Sequence, residues 1–420
     1  MPNSNPLPMR RVHFIGIGGV GMNGLAQLAS KAGYSVSGSD RAYAPEARLF
    51  KCLDRLGIGL FPQDGTGIAE DTDQVVFSTA IESDNPEILK SNELGIPLLH
   101  RAEFLKQLVG DGELIAVAGT AGKTTTTGLL AWIFECLGKD PNVYNGAAIL
   151  NWQTESNLGN IRKGASNLWI IEADESDKSF LNFHPAHAII TNISKDHYEL
   201  DELHAMFDRF ESQTSGTTLR GDGGRHPIPI LGKHNEENAA CAVRLCEALG
   251  MDRERVREAV ATFKGIERRL EIAGEAGGVT VIDDYAHNPA KIAAALSAVA
   301  ARYGTVHAYW RPHGFTPLSQ GLDDIAAVFA RHGKRHGGSL FILPVYYAGG
   351  TVRRTVTSAE LVERIESVGV QVGLVQNYEA LQAELRRRAA PGDAILGMGA
   401  RDPELPRFAK RLVTEWSIPR

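Results

Sequence analysis

The sequence has few cysteines, no long apolar run and no strong excess of charge of either sign. Its four cysteines in 420 residues, Cys52, Cys136, Cys241 and Cys246, lack the spacing of a metal site. That usage is typical of free thiols in a reducing compartment. No apolar run reaches the roughly 18 residues of a membrane span, and the start MPNSNPLPMRR has no apolar signal core. We therefore expect a soluble, cytoplasmic protein.

The charges are nearly balanced, which bears on the choice of partners. There are 44 basic and 50 acidic residues, a formal net charge of -6, and no long basic run. We therefore predict no nucleic-acid partner and no membrane-surface partner. Short internal repeats are also absent. At about 150 residues per domain, the length predicts two or three domains with sizeable cores.

The most informative stretch is 114–127, LIAVAGTAGKTTTT, in which an apolar run leads into a glycine turn and a lysine. Such a strand, turn and helix start can direct backbone N–H groups at a polyphosphate. Lys123 would contact the phosphates and Thr124 their magnesium. The alternative is a glycine-rich turn that binds nothing. The G-x-x-G-K-T spacing is shorter than the usual phosphate-loop pattern, which points away from generic P-loop GTPases and ATPases.

A second glycine motif lies near the start of the chain. Residues 11–40 read as strand, turn, helix and strand, and their glycines match G-x-G-x-x-G, with Asp40 about 20 residues further on. The pattern predicts a diphosphate site but does not say whether NAD or another nucleotide carries the diphosphate. The following segments predict a small parallel α/β unit ending near Lys106. Within it, SDNPEI, with Ser83 and Asn85, predicts a turn and a helix start.

Acidic residues follow an apolar strand downstream of the phosphate loop. The strand 168–171 leads to Glu172, Asp174 and Glu175, and a second apolar strand, AHAIITNIS, leads to His197. Carboxyl ends of strands are where α/β proteins form ligand sites. We predict that Glu172 oxygen and neutral His197 nitrogen together hold a hard cation, although a lone Glu or His is more often a solvated loop residue.

The next segments combine loops with candidate nucleotide contacts. The polar stretch 212–229 predicts a loop or a very short hairpin. Asn235 and Asn238 stand at the start of an alanine-rich helix, where asparagine usually caps, although two amides can also read a base edge. Arg268 and Arg269 adjoin a predicted linker. They are either a clamp for phosphate or carboxylate, or a solvated basic pair.

The last part of the chain, from about Leu270, repeats the α/β pattern. The segment VTVIDDYAHNPAKI is predicted as a strand whose polar end holds Asp283, Asp284, Tyr285, His287 and Asn288. Pro289 then opens a helix. Further apolar runs with polar ends occur in TVHAYWRPHGF, SLFILPVYYAGG, VQVGLVQN and DAILGMGARDPELP. This rhythm predicts a second doubly wound sheet.

Taken in order, these motifs resemble those of the Mur ligases, the ATP-dependent amide ligases of peptidoglycan precursor synthesis, and are most similar to the members that add L-alanine. The similarity runs nearly end to end and rests on HFIGIGGVGM, SGSD, STAIESDNPEI, HRAEFL, AGTAGKTTTT, IEADESDKSFL, ITNISKDH, LGKHNEENAAC, the arginine pair and DDYAHNP.

The resemblance implies an α/β protein of three domains. These are an N-terminal Rossmann-like parallel sheet for a UDP-sugar (1–108), a central P-loop-type ATPase domain (109–269) and a C-terminal doubly wound domain for the amino acid (270–420). It implies ATP and Mg²⁺ as cofactors, UDP-N-acetylmuramate and L-alanine as substrates, and a monomer or homodimer. ATP would phosphorylate the lactyl carboxylate, and the amine would then attack the acyl phosphate.

Matching the motifs residue by residue implies the site. The nucleotide would be held by Gly119, Thr120, Gly122, Lys123, Thr124, Thr125, Asn235, Asn238, Arg269 and Asp284, the asparagines contacting adenine. Magnesium would be held by Thr124, Glu172 and His197. The catalytic residues would be Lys123, Glu172, His197 and Arg269. The other substrates would be bound by Gly16, Gly18, Gly19, Gly21, Asp40, Ser83, Asn85 and His287.

Several residues differ from the family pattern. Ala121 and Asn288 stand where histidine is usual, Gly314 where arginine is usual, and Gly350 where an acid is usual. The stretch 212–229 is also much shorter than the corresponding family region. These differences leave open a divergent ligase that adds another amino acid or a peptide, as in murein-peptide recycling, and a nucleotide-binding protein without turnover. The first glycine motif alone also leaves open an NAD-dependent oxidoreductase.

Overall fold

Short apolar runs that end in glycine or polar residues form three sheets in the computed structural model, which describes residues 10–194, 198–347 and 356–416. The chain divides into two structural units. The first contains the chain up to Pro229 together with Glu236–Ile266, and the second contains Ile230–Asn235 and Glu267–Arg420. The domain boundaries drawn after residues 108 and 269 stay predictions.

The first sheet belongs to the first unit and is parallel throughout. Its strands are β1 (Arg11–Ile15), β2 (Ser35–Ser39), β3 (Gly59–Phe61), β4 (Gln74–Phe77) and β5 (Leu98–His100). Its helices are α1 (Val20–Lys31), α2 (Arg48–Arg55), α3 (Pro86–Leu94) and α4 (Arg101–Val109). The strand order β3-β2-β1-β4-β5 reverses beside β1, the position where such sheets bind ligands. The predicted small parallel α/β unit is confirmed.

The second sheet, also in the first unit, carries the phosphate loop. Its strands are β6 (Glu113–Ala118), β7 (Asn142–Tyr144), β8 (Ile161–Arg162), β9 (Leu168–Glu172), β10 (His187–Ile190) and β11 (Thr218–Arg220). The helices that follow β6 are α5 (Lys123–Cys136), α6 (Leu200–Ser212), α7 (Lys233–Ala248) and α8 (Arg253–Ala261), with a 3₁₀ turn at Ser179–Asn182. The order is β11-β10-β6-β9-β7-β8, so β6 lies between β9 and β10.

One part of the central prediction is wrong. The stretch 212–229 forms neither a simple loop nor a hairpin, because β11 pairs in parallel with β10 at the edge of the sheet. The sequence does not show this pairing, since it joins segments separated by helix α6. Only residues 221–232 then separate β11 from α7.

The two sheets of the first unit share one hydrophobic core. The same cluster contains Phe14 and Phe104 from the first sheet and its helices, and Ile171, Phe180 and Phe207 from the second. Phe14 and Phe104 meet edge to face at 5.4 Å. Since each large buried side chain contributes about 1.5–3 kcal/mol, this continuous core fixes the two sheets to each other.

The second unit contains the third sheet, confirming the second doubly wound pattern. Its strands are β12 (Glu271–Ala276), β13 (Val279–Asp284), β14 (Val306–Trp310), β15 (Leu340–Ile342), β16 (Gly373–Leu374) and β17 (Ala394–Met398). Its helices are α9 (Pro289–Ala300), α10 (Phe315–Arg335), α11 (Ser358–Glu366), α12 (Tyr378–Arg388) and α13 (Glu404–Glu415). The order is β12-β13-β17-β14-β15-β16, and β12 pairs with β13 antiparallel. Across the described ranges, no helix is both long enough and apolar enough to span a bilayer.

Candidate active site

The phosphate loop has the strand, turn and helix that the sequence predicts. It connects β6 to α5, and Gly119 and Gly122 adopt φ values of +127° and +84°, which favour glycine. A Cβ atom on Gly119 would lie 2.1 Å from Thr191 Oγ1, and one on Gly122 would lie 2.2 Å from Asn238 Oδ1. Helix α5 begins at Lys123, so the positive end of its dipole faces the loop.

The residues after β10 hold this loop in place. Asn192 Oδ1 accepts hydrogen bonds from Thr120 Oγ1 at 2.8 Å and from Ala121 N at 2.9 Å. Thr191 Oγ1 donates to the carbonyl oxygens of Ala118, at 3.1 Å, and Ala121, at 2.6 Å. Thr191 and Asn192 were not predicted from the sequence, although both belong to the ITNIS segment at a strand end.

Lys123 is surrounded by carboxylates. Its Nζ donates to Gly119 O at 2.8 Å and to Glu175 Oε2, and it lies 3.9 Å from Asp174 Oδ1. Burial lowers the pKa of Lys123, but the charges of Glu175, Asp174 and Glu172 outweigh burial and raise it. The lysine is therefore positively charged at neutral pH and can neutralise a polyphosphate.

Glu172 and Thr124 form the described part of the predicted metal site. Thr124 Oγ1 donates to Glu172 Oε1 at 2.9 Å, and the backbone N–H of Gly146 donates to Glu172 Oε2 at 2.6 Å. A Cβ atom on Gly146 would lie 2.4 Å from the same oxygen, so a larger residue here would displace the Glu172 carboxylate. The predicted ligand His197 lies outside the described residues.

These two oxygen groups suit magnesium, which takes one or two protein oxygens and completes its shell with phosphate and water. The described residues contain no group of three or more His, Cys, Asp or Glu side chains placed to hold a metal by themselves. The residues present therefore fit a cation that arrives with a nucleotide better than an all-protein metal cage.

Arg101 links the acidic loop to the first sheet. Its Nη2 lies 3.1 Å from both Asp174 Oδ2 and Asp177 Oδ2. Burial lowers the pKa of Arg101, but Tyr144 and the two aspartates outweigh burial and raise it. Tyr144 Oη donates to Gly21 O at 3.2 Å, so the first turn of α1, directly after the glycine turn, is tied to the same cluster. Neither Arg101 nor Tyr144 was predicted as a site residue, and the only signal for Arg101 was its place in HRAEFL.

The glycine turn after β1 is held by Asp40. The backbone N–H of Gly18 donates to Asp40 Oδ2 at 2.7 Å, and Ala42 N donates to Oδ1 at 2.8 Å. Gly16 adopts φ +74°, and Gly19 is the residue immediately before helix α1. A Cβ atom on Gly18 would lie 2.7 Å from Asp40 Oδ2. The carboxylate of Asp40 thus shapes the turn itself.

The SDNPEI segment forms the predicted turn and helix start. Asn85 is buried and caps α3, because its Oδ1 accepts from Glu87 N at 2.9 Å, whereas Ser83 is exposed. Glu87 in turn accepts from Ser39 Oγ at 2.5 Å and lies 3.2 Å from His13 Nε2. Within the described chain, Asn85 Nδ2 is buried without a hydrogen-bond acceptor, so the segment retains one donor for a ligand.

The two asparagines of α7 differ in their surroundings. Asn238 belongs to the first unit, where its Oδ1 packs against Gly122 of the phosphate loop. Asn235 is 1% exposed, and its Nδ2 donates to Leu231 O at 2.6 Å within the second unit. Asn238 is thus placed beside the predicted nucleotide, while Asn235 stabilises the start of its own helix.

In the second unit, the two adjacent arginines both lie 5.2 Å from the ring centre of Tyr285 but differ in their polar partners. Arg268, at φ +58°, pairs with buried Asp283 at 2.9 Å and donates to the carbonyls of Gly399 and Ala400. Arg269 is half-buried and lies 5.2 Å from the ring centre of Tyr285. Arg268 is therefore structural, whereas no salt bridge among the described residues joins Arg269 to a carboxylate.

Asp284 and His287 follow β13 in the same unit. Both oxygens of Asp284 accept backbone hydrogen bonds at 2.7 Å, from Leu270 N and Ala286 N. Burial raises the pKa of Asp284 to about 6 and lowers the pKa of His287 to about 4. His287 lies with its ring centre 5.1 Å from that of His313. His287 is thus a neutral imidazole at physiological pH.

Comparison with known proteins identifies the family. Three family models match the chain: "Mur ligase family, catalytic domain" at residues 11–112, "Mur ligase middle domain" at 117–208 and "Mur ligase, glutamate ligase domain" at 268–401. The UDP-N-acetylmuramate--L-alanine ligase of Anaeromyxobacter sp. is 32% identical over 449 residues, covering 93% of this chain and 95% of that enzyme. The chain belongs to the Mur ligase family.

Other relatives agree with this assignment. The enzyme of the same name from Phenylobacterium zucineum is 33% identical, covering 95% of each chain. The crystal structure of the UDP-N-acetylmuramate-alanine ligase MurC from Thermotoga maritima matches with a TM-score of 0.79 at 25% identity, over 96% of this chain and 98% of that one. The murein peptide ligase of Psychrobacter arcticus, at 21% identity and a TM-score of 0.66, shares the fold.

This Mur ligase is an ATP-dependent ligase of peptidoglycan precursor synthesis, which confirms the fold class and the enzyme class predicted from its motifs. Membership also removes the oxidoreductase alternative, since that rested on the first glycine motif alone. The alignment with the Anaeromyxobacter enzyme spans 449 positions, more than the 420 residues of this chain, so that relative carries residues that this chain lacks.

Proposed function

We propose that this Mur ligase joins L-alanine to UDP-N-acetylmuramate in the cytoplasm, using ATP and Mg²⁺, as a monomer or homodimer. The observation that carries the proposal is the convergence of Lys123, Thr124 and Glu172 at the N-terminus of α5, where β6 is flanked by β9 and β10. The names of the Anaeromyxobacter and Phenylobacterium relatives, both UDP-N-acetylmuramate--L-alanine ligases, support this choice of substrates.

The first step is transfer of the γ-phosphoryl group to the lactyl carboxylate. Lys123 neutralises the charge that develops on the transferred group, and the N-terminus of α5 adds the field of its dipole. Thr124 and Glu172, with His197, would hold magnesium, which supplies charge neutralisation across the phosphates when bound. Gly119, Thr120, Gly122 and Thr125 complete the phosphate-binding loop, and the γ–β bond breaks as ADP leaves.

The second step is attack of the amino group on the acyl phosphate. The amine forms the amide bond, and inorganic phosphate leaves with the electrons of the broken C–O bond. No protein nucleophile is needed, because orientation of two activated groups supplies most of the acceleration. Adenine is assigned to Asn238, and phosphate or ribose to Arg269 and Asp284. The predicted adenine contact of Asn235 is not carried over, because its amide is buried and donates to Leu231 O.

The UDP-sugar is assigned to the glycine turn of the first sheet. Gly16, Gly18 and Gly19 form a tight turn at the switch point of a parallel sheet, and Gly21 lies in the first turn of α1. Such a strand, turn and helix start is where diphosphates bind. Asp40 supports that turn. Asn85 offers its buried, unused Nδ2 donor from the same sheet edge, and Ser83 stands two residues before it. In the second unit His287 is assigned to the acceptor.

A divergent ligase for a different amino acid or a peptide is the second candidate. Gly314 favours it, because the residue beside His313 has no side chain with which to recognise an acceptor. A murein-peptide ligase would need space for an acceptor longer than alanine. The absence of a side chain at Gly314 leaves part of that space.

The decisive experiment is phosphate release from ATP with UDP-N-acetylmuramate and a panel of acceptors. The panel contains L-alanine, L-serine, glycine and L-alanyl-γ-D-glutamyl-meso-diaminopimelate. We expect the highest kcat/KM with L-alanine, whereas preference for the tripeptide supports the second candidate. Lys123→Ala should abolish release, and Lys178→Ala, which breaks an exposed pair with Glu202, should not. ADP binding without release by any acceptor would mean a protein that has lost turnover.

A further inference from the structure

Three strand ends lie side by side in the second unit. Strand β17 runs between β13 and β14, and Asp284, Met398 and Trp310 form one row across these three parallel strands. Counting three residues onward along each strand gives His287, Arg401 and His313. All three segments leave the same edge of the sheet in the same direction, so these three residues stand equally far beyond one row of it.

The two outer members of this set are in contact. The imidazole rings of His287 and His313 meet nearly edge to face, with ring centres 5.1 Å apart. Burial lowers the pKa of His313, and the charges of Arg401 and Lys291 lower it further. The set therefore combines two neutral imidazoles with an exposed guanidinium from the strand between them.

The nearby acids already have other partners. Asp284 accepts from two backbone N–H groups, and Asp402 accepts from Arg311 and from the hydroxyl of Tyr378. In the described ranges, no salt bridge joins Arg401 to a carboxylate, and Gly314 contributes no side chain. The guanidinium of Arg401 is therefore available to an anionic group from outside the chain.

We propose that Arg401 binds the α-carboxylate of the acceptor amino acid and makes the ligase selective for acceptors that carry one. A guanidinium presents paired N–H donors that match the two oxygens of a carboxylate. The imidazoles of His287 and His313 lie beside the bound amino acid and offer neutral acceptors to its amino group. The proposal rests on the proposed function, since it assigns the acceptor of that same reaction.

The test compares L-alanine with L-alaninamide, which has the same amine and no carboxylate. Phosphate release is measured for wild type, Arg401→Ala and Arg401→Lys. We expect Arg401→Ala to raise the KM for L-alanine by about tenfold to a hundredfold, the usual effect of losing a charge-assisted hydrogen bond. The KM values for ATP and UDP-N-acetylmuramate should stay unchanged. The preference for L-alanine over the amide should disappear, and Arg401→Lys should restore part of it.

Arg302→Ala is the matched control, because Arg302 is an exposed arginine after α9, outside this set. If Arg401→Ala still preferred L-alanine over L-alaninamide as strongly as wild type does, the inference would be overturned. The proposed function fails differently, by absence of release from wild type with every acceptor. In that case binding of L-alanine to wild type and to Arg401→Ala is compared by ligand-observed NMR. A binding signal that is present with wild type and lost with Arg401→Ala supports the carboxylate site, and equal signals from the two proteins contradict it.

Discussion

Glu172 and Thr124 are joined by a 2.9 Å hydrogen bond from the threonine hydroxyl, and the second oxygen of Glu172 is fixed by the N–H of Gly146. The carboxylate is therefore oriented before any cation arrives. Pre-orientation of this kind reduces the rearrangement needed when magnesium binds with the nucleotide.

Glu172→Gln should raise the magnesium requirement of the reaction. The amide keeps the size of the side chain but lacks the charge, and its NH₂ group cannot accept from Gly146. We expect the Mg²⁺ concentration for half-maximal phosphate release to rise at least about tenfold. Titration of Mg²⁺ at saturating substrates measures this. Glu202→Gln, on an exposed surface pair, is the control, and an unchanged Mg²⁺ titration for Glu172→Gln would exclude Glu172 as a ligand.

Gly122→Ala should destabilise the phosphate loop by more than backbone strain alone. The left-handed conformation costs a non-glycine residue about 1–2 kcal/mol, and the added methyl group would also collide with Asn238. Gly138→Ala separates the two effects, since Gly138 has φ +75° but an added Cβ there would meet nothing within 4 Å. Urea unfolding should give a larger loss for Gly122→Ala. If Gly122→Ala and Gly138→Ala lost the same free energy of unfolding, the loop or Asn238 would have moved to accommodate the methyl group.

Arg101→Ala should lower the free energy of unfolding of the first unit. The change removes the shared partner of Asp174 and Asp177. Asp174 is 35% exposed and lies 3.9 Å from Lys123, so we expect a loss of about 1–3 kcal/mol, the cost of an unmade charged hydrogen bond. Arg41→Ala breaks an exposed pair with Glu82 and should cost less than about 1 kcal/mol. Adding Asp177→Asn to Arg101→Ala should recover part of the loss. Similar costs for the two arginines would contradict this account.

His287→Gln should make the protein less sensitive to acid. Burial lowers the pKa of His287 from 6.5 to about 4, so between these values the unfolded chain binds the proton and the folded chain does not. Stability from this group therefore falls as pH drops from 6.5 towards 4, by on the order of 3 kcal/mol in full. The variant lacks this loss. The free energies of unfolding of wild type and His287→Gln at pH 4.5, 5.5, 6.5 and 7.5 measure this difference. If the two proteins lost stability equally as the pH fell, the prediction would be wrong.

The sequence predicted those parts of the site that depend on local pattern. Lys123 and Thr124 follow a glycine turn after an apolar strand, and Glu172 follows another, so residue type and spacing sufficed. Thr191, Asn192, Arg101 and Tyr144 were missed because their roles come from contacts between distant segments, such as Arg101 with Asp174, 73 residues away. The parallel pairing of β11 was missed for the same reason. The predictions at His197 and Gly350 lie outside the described residues.

The single core shared by the first two sheets has a consequence for how such enzymes can diversify. Recombination that exchanged only the first sheet with that of a distant relative would cut through the packing of Phe104 and Ile171, and would separate Arg101 from its aspartates. Recombination that keeps these two sheets together preserves their shared core and therefore the folding of the unit. New sugar specificity is then expected to arise by point substitution around the glycine turn.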